Sequence, residues 1–221
     1  INAVVDLMVN AERPLFYTGG GVINAGPGAS KTLTDLVKDT GFPITSTLMG
    51  LGAYPASGPK WLGMVGMHGT YESNMAMHGC DVMINIGARF DDRVTGNLKY
   101  FSPGSKKIHV DIDQSSINKN VIVDIPVVGD AGVALKAIFK AWKARTTRPK
   151  AKAMKAWWAD IERWKAKDCL SYTQTGSVIK PQYAIQRLFE LTKKRDTFIT
   201  TEVGQHQMWA AQFCRFDKPN H

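Results

Sequence analysis

Short apolar runs and amphipathic stretches alternate along the first two thirds of the chain. Residues 2–12 place Val4, Val5, Leu7 and Met8 at helical spacing, and Pro14 ends that pattern. Leu15–Thr18 reads as a short strand running into Gly19, Gly20 and Gly21. A helix is predicted over about Ser30–Asp39, closed by Gly41 and Pro43, and a strand over Ile44–Leu48. Thr70–Met77 reads as a helix, and Asp81–Ile86 as a buried strand ending in Gly87-Ala88-Arg89. Lys107–Asp113 and Pro126–Val128 read as strands, and Ala131–Trp142 as a helix. Such alternation predicts βαβ units. The fold class expected is α/β, with a doubly wound parallel sheet.

The alternation stops near Arg145–Pro149. Residues 1–145 are expected to form one α/β domain, and 146–180 a basic Lys/Trp-rich helix (about 151–166) with a polar linker. Residues 181–221 read as the first part of a second α/β domain. It would comprise a helix over Gln182–Lys194, a strand over Thr197–Thr201, and a turn at Glu202–Gly204 opening a helix from about Gln205. Between Gly21 and Thr45 the string AGPGAS reads as a long glycine-rich loop.

With 221 residues, 44% hydrophobic and 21% charged, the chain can bury a sizeable core, which excludes a small stapled scaffold. No apolar run approaches the roughly 18 residues of a membrane span, so no membrane association is expected. Cys80, Cys169 and Cys214 form no CxxC pair, which points to idle thiols in a reducing compartment. No basic-then-apolar leader opens the sequence, so the expected location is cytoplasmic and not secreted. The net charge of +9 is local: residues 140–167 hold ten Lys/Arg against Asp160 and Glu162, a surplus of eight. Trp142, Trp157, Trp158 and Trp164 interleave with these charges. The economical reading is a solvated helix whose tryptophans dock on a neighbouring domain, and no nucleic-acid partner is expected.

In an open parallel sheet, ligands bind beyond the carboxyl ends of the strands, where the glycines of this sequence collect. Glycine there lets a backbone approach a ligand and offer N–H groups to phosphate, or merely closes a turn. No G-x-G-x-x-G opens a helix, which disfavours a standard dinucleotide fingerprint. Asp111 and Asp113 could accept from ribose hydroxyls or could cap a turn. His68, in Gly66–Gly69, has no second ligand at metal spacing, so no metal is assigned. Phe90-Asp91-Asp92-Arg93 sets two carboxylates beside a guanidinium. Arg93 could grip a carboxylate substrate or form a local ion pair. No nucleophile–base arrangement stands out. The residues alone point to an α/β domain that binds a phosphate-bearing cofactor.

Longer strings carry a more specific signal. TGGGV (18–22), STLMGLGAYP (46–55), GMHGTYESN (66–74), GARFDDRVTG (87–96), HVDIDQSSINKN (109–120), PQYAI (181–185) and EVGQHQMWAAQ (202–212) resemble the large catalytic subunit of acetohydroxyacid (acetolactate) synthases. Order and spacing match from near residue 12 to residue 219. The resemblance implies a transferase that condenses two 2-ketoacids, with loss of carbon dioxide, to a 2-aceto-2-hydroxyacid in branched-chain amino-acid synthesis. It implies thiamine diphosphate, Mg²⁺ and an FAD with no net redox role. It also implies 2-ketoacid substrates, a homodimer or higher assembly of the full-length subunit, and a regulatory small subunit.

The matched part is the family's middle, FAD-binding domain and the start of its thiamine-diphosphate domain. By that resemblance Gly20 and Val65, Gly66, Met67 and His68 lie along the FAD, with Thr47 and Leu48 at the flavin. Gly87, Ala88, Arg89, Phe90 and Asp91 run along the dinucleotide, and Asp111 and Ile112 hold its adenosine portion, with Asp130 and Ala131 beside it. Val203, Gly204, Gln205 and His206 match residues that hold thiamine diphosphate. Arg93 matches a substrate-carboxylate arginine, with Met67 and Asp92 near the substrate channel. The family's activating glutamate and its G-D-G…N metal motif have no counterpart among these residues; Glu202 merely precedes the diphosphate string. The stretch by itself is therefore expected to be inactive, with no catalytic residue and no metal ligand of its own. The open alternatives are another FAD-containing thiamine enzyme, of pyruvate oxidase or glyoxylate carboligase type, and a non-catalytic FAD-binding module.

Overall fold

The computed structural model describes residues 1–221. Six strands form one sheet: β1 (Pro14–Thr18), β2 (Ile44–Ser46), β3 (Trp61–Met64), β4 (Val82–Ile86), β5 (Lys106–Asp111) and β6 (Ile125–Val128). All neighbouring pairs are parallel, in the order β3-β2-β1-β4-β5-β6. The chain winds outward from β1 to β3, returns to the middle, and winds out the other way, which makes a switch point between β1 and β4. The helices are α1 (Asn2–Asn10), α2 (Gly20–Asn24), α3 (Pro27–Thr40), α4 (Tyr71–Gly79), α5 (Asp92–Thr95), α6 (Ala131–Ala144), α7 (Ala151–Lys165), α8 (Pro181–Thr192) and α9 (Gln205–Phe213). None is long and apolar enough to cross a membrane.

Side-chain alternation along the strands builds two cores, one on each face of the sheet. Phe16, Ile84 and Ile108 join Val4 and Met8 of α1, Leu33 and Leu36 of α3, and Leu135 and Ile138 of α6. Leu15, Tyr17 and Met83 point the opposite way, onto Ala76 and Met77 of α4 and Trp157 and Ile161 of α7. The tryptophans of the basic segment pack inward. Trp157 Nε1 donates to the Pro14 carbonyl and Trp158 Nε1 to that of Gly41, both at 3.0 Å. Trp142 lies edge-on to Phe42 and donates to Asp39 at 2.7 Å. The lysines stay at the surface, with Lys60 stacked over Trp158.

Several boundaries differ from the sequence expectation. The AGPGAS string is mostly helix: Gly26, at φ +90, turns the chain, and Pro27 supplies the fixed φ suited to the first turn of α3. Leu48 belongs to a 3₁₀ turn, not to β2, and β5 stops at Asp111. Trp61–Met64, too short to show a period, forms the edge strand β3. Thr197–Thr201 forms no strand, because no neighbouring segment offers it a ladder to pair with. The second unit thus consists of α8 packed on α9, without a sheet.

At the switch point two backbones touch. A Cβ on Gly19 would lie 2.7 Å from the Ala88 α-carbon, and one on Gly21 would lie 2.7 Å from that of Gly87. Gly19 N–H donates to Ile86 and Gly21 N–H to Gly87, each at 3.0 Å, so the contact is a bonded seam. Gly20 faces outward, where a Cβ would meet only Met49 at 3.3 Å. Gly19→Ala and Gly21→Ala are each expected to destabilise the fold by about 1–3 kcal/mol through overpacking, and Gly20→Ala by well under about 1 kcal/mol. Denaturant melts of the three variants check this ordering; equal losses at all three positions would refute it.

Candidate functional site

The carboxyl ends of β1, β2, β4 and β5 open on one cavity of about 920 Å³. Its rim loops are fixed by hydrogen bonds that extend the sheet past its last residues. Thr47 N–H donates to Thr18, Gly87 N–H to Val110, and Gly129 N–H to Asp111, at 2.8–2.9 Å. The buried Asn85 side chain holds both sides of the next turn, donating to the Ala88 carbonyl at 2.6 Å and accepting its N–H at 3.2 Å. Asn74 does the same for Gly66 at 3.0 and 2.9 Å, and Met67 N–H reaches the Arg93 carbonyl. A cavity walled by such loops is formed before any ligand arrives.

Most residues singled out from sequence meet here, though not all. Gly20, Thr47, Leu48, Val65, Met67 and His68 line the cavity from the β1–β3 side. Gly87, Ala88, Arg89, Asp91, Arg93, Asp111 and Ile112 line it from the β4–β5 side. Gly66 stands behind its neighbours, its α-carbon against the Arg93 backbone. Phe90 turns the other way: at φ +57 its ring is buried between Tyr17 and His109. That strained residue is what presents Arg89 and Asp91 outward, paired at 2.9 Å. Asp92 lies off the cavity on α5, 3.5 Å from the Arg93 guanidinium.

Of the carboxylates, Asp113 and Asp130 cap turns, and Asp111 and Asp113 line the cavity. Asp113 accepts from the Ser115 N–H and from the hydroxyls of Ser115 and Ser116, and these bonds hold its carboxyl below the usual range. Asp130 caps α6 through Val133 N–H at 2.9 Å, and Ala131 is buried in that helix's first turn; neither lines the cavity. Asp111 is nearly buried, accepts from Asp113 N–H at 2.9 Å, and faces the cavity with unused acceptor capacity.

A second segment closes the opposite side. Val203, Gly204 and Gln205, at the start of α9, line the same cavity, whereas His206 does not. Sequence reasoning missed Tyr17, Met49, Gln207 and Met208, which also line it. Tyr17 was legible as the last residue of β1 on its face, and Met208 as the position three beyond Gln205 on one helix face.

His109 lies fully buried beneath this floor, with no hydrogen-bond partner on either nitrogen; Nε2 is 3.7 Å from Asp111 Oδ2. Desolvation outweighs that carboxylate and lowers its pKa, so the ring is neutral in the fold. The unfolded chain therefore binds a proton that the folded chain refuses. The stability so contributed is complete above the ordinary histidine value and is lost as pH falls below about 6.5. His109→Phe is expected to flatten the pH dependence of unfolding between about pH 6.5 and 5. Parallel melts across that range, with an unchanged slope in the variant, would count against it.

Residues 1–138 match the family described as thiamine pyrophosphate enzyme, central domain. The chain belongs to the thiamine pyrophosphate enzyme family. Within that family it is 44% identical over 219 residues to the acetolactate synthase isozyme 3 large subunit of Escherichia coli, an alignment covering 99% of this chain and 38% of that protein. It is 42% identical over 221 residues to the acetolactate synthase large subunit of Haemophilus influenzae, covering 100% of this chain and 38% of that protein. Over 219 residues it is 42% identical to acetolactate synthase 3, chloroplastic, of Brassica napus, covering 99% and 33%. The chain thus spans little more than a third of the length of these relatives.

Proposed function

We propose that this chain is the central, FAD-binding portion of an acetolactate synthase large subunit together with the first helices of its thiamine-diphosphate portion. The observation that carries the reading is the single cavity at the switch point, walled by the strand-end loops on one side and by Val203–Gln205 on the other. Its volume of about 920 Å³ suits a dinucleotide, and Leu48, Met49, Val65 and Met67 give one end an apolar lining for a flat ring. Gly20 lines it with a backbone N–H that has no partner in the fold, a donor open to phosphate oxygen. Asp111 offers a carboxylate for ribose hydroxyls, the role an acidic residue takes in other doubly wound nucleotide sites. Val203–Gln205 would hold the diphosphate of thiamine diphosphate, which when bound supplies the electron sink for decarboxylating the first ketoacid. A metal such as Mg²⁺ would accompany that diphosphate.

Arg93 has the chemistry to orient the second ketoacid. Its guanidinium is largely exposed at the cavity wall and only loosely paired with Asp92, so a carboxylate can take both prongs. The whole reaction, two 2-ketoacids to a 2-aceto-2-hydroxyacid and carbon dioxide, belongs to the longer proteins this chain resembles. The words "large subunit" in the relatives' names support a smaller partner subunit; a regulatory role for that partner and a cytoplasmic location are further parts of the same proposal.

Flavin fluorescence quenching as FAD is titrated into the 221-residue chain tests the reading. Saturable binding is expected, weakened at least about tenfold in Asp111→Ala by loss of a charged acceptor worth about 1.5–3 kcal/mol. Asp113→Ala, at a carboxylate that also lines the cavity but is spent on the Ser115 and Ser116 bonds, should lose about 1 kcal/mol of stability and weaken FAD less than Asp111→Ala does. No saturable binding by the wild type, or equal affinity in the Asp111 variant, would sink the assignment. In the complete enzyme Arg93→Lys should raise the ketoacid requirement by roughly tenfold or more while leaving flavin content intact, because lysine keeps the charge and loses the fork. Flavin loss with normal ketoacid kinetics would show Arg93 assigned to the wrong ligand.

A further inference from the structure

The wall formed by Val203–Gln205 comes from the part of the chain with the least hold on the fold. α8 buries no side chain, and α9 buries only Ala210 and Ala211. No strand lies between them to anchor either one. What fixes α9 is found at its far end. Residues 214–219 run back across the loop 50–58, where Ala56 N–H donates to the Phe216 carbonyl at 3.1 Å and Ser57 N–H to Asp217 Oδ1 at 2.8 Å. One turn earlier, Gln212 Nε2 donates to the His68 carbonyl at 2.9 Å, on a loop that lines the cavity. At the crossing Gly52 has φ +84, and a Cβ there would come within 2.6 Å of the Lys218 carbonyl carbon. Backbone rests on backbone, and only glycine leaves the room and adopts the conformation.

We propose that residues 214–219 are a strap that holds α9 and its Val203–Gln205 turn in place as a wall of the cavity, and that Gly52 is the positioning residue on which the strap sits. Gly52 does not itself line the cavity, and neither does any residue from Phe213 to Pro219. Their influence on a ligand therefore passes through α9 or through Asn220, which follows the strap and lines the cavity, and exchange at residues 203–209 tells the two routes apart. The strap bonds to the loop that follows Thr47, Leu48 and Met49, so both walls are tied to one another at a point outside the site. The choice of FAD as probe rests on the function proposed above; the strap itself does not.

Two variants of the 221-residue chain separate the possibilities. Gly52→Ala pushes the strap off its seat, and Asp217→Ala removes one of its bonds without straining any backbone. Amide hydrogen exchange reads the strap directly at Ala56 and Ser57 and reads the wall at residues 203–209. In Gly52→Ala, exchange at Ala56 should quicken at least about tenfold, with residues 203–209 quickening too and the β1 and β4 amides unchanged. FAD binding should weaken by about tenfold in Gly52→Ala and by about threefold in Asp217→Ala, one step down the same scale. Unchanged exchange at Ala56 in Gly52→Ala would overturn the seat. Faster exchange at Ala56 and Ser57 with residues 203–209 unaffected would overturn the strap's hold on the wall. If the wild type fails to bind FAD, the flavin reading falls, while exchange at residues 203–209 still decides the strap.

Discussion

The close approach of Gly19 and Gly21 to Gly87 and Ala88 sets the geometry on which everything else depends. It joins the two halves of the sheet at the point where the winding reverses, with N–H bonds from Gly19 and Gly21 closing the seam. Because the turn after β1 lies flat against the turn after β4, the cavity floor is backbone, and the rim is left to side chains. Overpacking this seam would separate β1 from β4 at the site end, at a cost on the order of 1–3 kcal/mol. The same packing explains why three consecutive glycines occur where two serve the fold. Gly20 alone is left facing outward, with a free N–H.

Rigidity around the cavity comes from polar side chains used as braces. Asn85 and Asn74 each hold a turn through paired bonds to one residue, and Thr45 Oγ1 ties β2 to Gly63 at 2.7 Å. Buried polar groups so satisfied fix a loop as firmly as packing does, and they hold it in one arrangement. At the other end of the sheet, where β1 and β2 begin, Trp157 and Trp158 do related work by donating to the carbonyls of Pro14 and Gly41. The basic segment is thus a second layer of the domain, with its aromatic surface used internally and its charge left in water.

Most of the sheet was legible because its strands are short apolar runs ending in glycine, aspartate or a polar cluster, and because helices of plain periodicity separate them. β3 was not, since four residues carry no period, and neither were α2 and α5, which form only because neighbouring turns hold them. Thr197–Thr201 has the composition of a strand, but strand structure is a property of pairs. At the site, motif strings located the right loops and overstated the residues within them. In GARFDDR, successive side chains take opposite directions: Arg89 and Asp91 face the cavity, Phe90 enters the core, and Asp92 turns away on α5. Asp113 caps its turn while also lining the cavity, and Asp130, set beside the adenosine portion by resemblance, caps α6 off the cavity.

The second unit shows how position can be inherited from elsewhere in a chain. α8 leaves Tyr183, Leu188 and Leu191 exposed, so it contributes almost no burial of its own to hold α9. α9 nonetheless has a defined place, because its contacts run to β3, to the His68 carbonyl and, through the residues that follow, to the loop 50–58. The Val203–Gln205 turn is therefore placed by bonds made on the first domain's surface and not by a core around itself. A turn held in that way can give by small amounts without unfolding anything, since the groups that fix it are surface bonds of roughly 1 kcal/mol each. The two walls of the cavity differ in kind: one is braced from within the sheet, and the other is fastened from outside at a few exposed points.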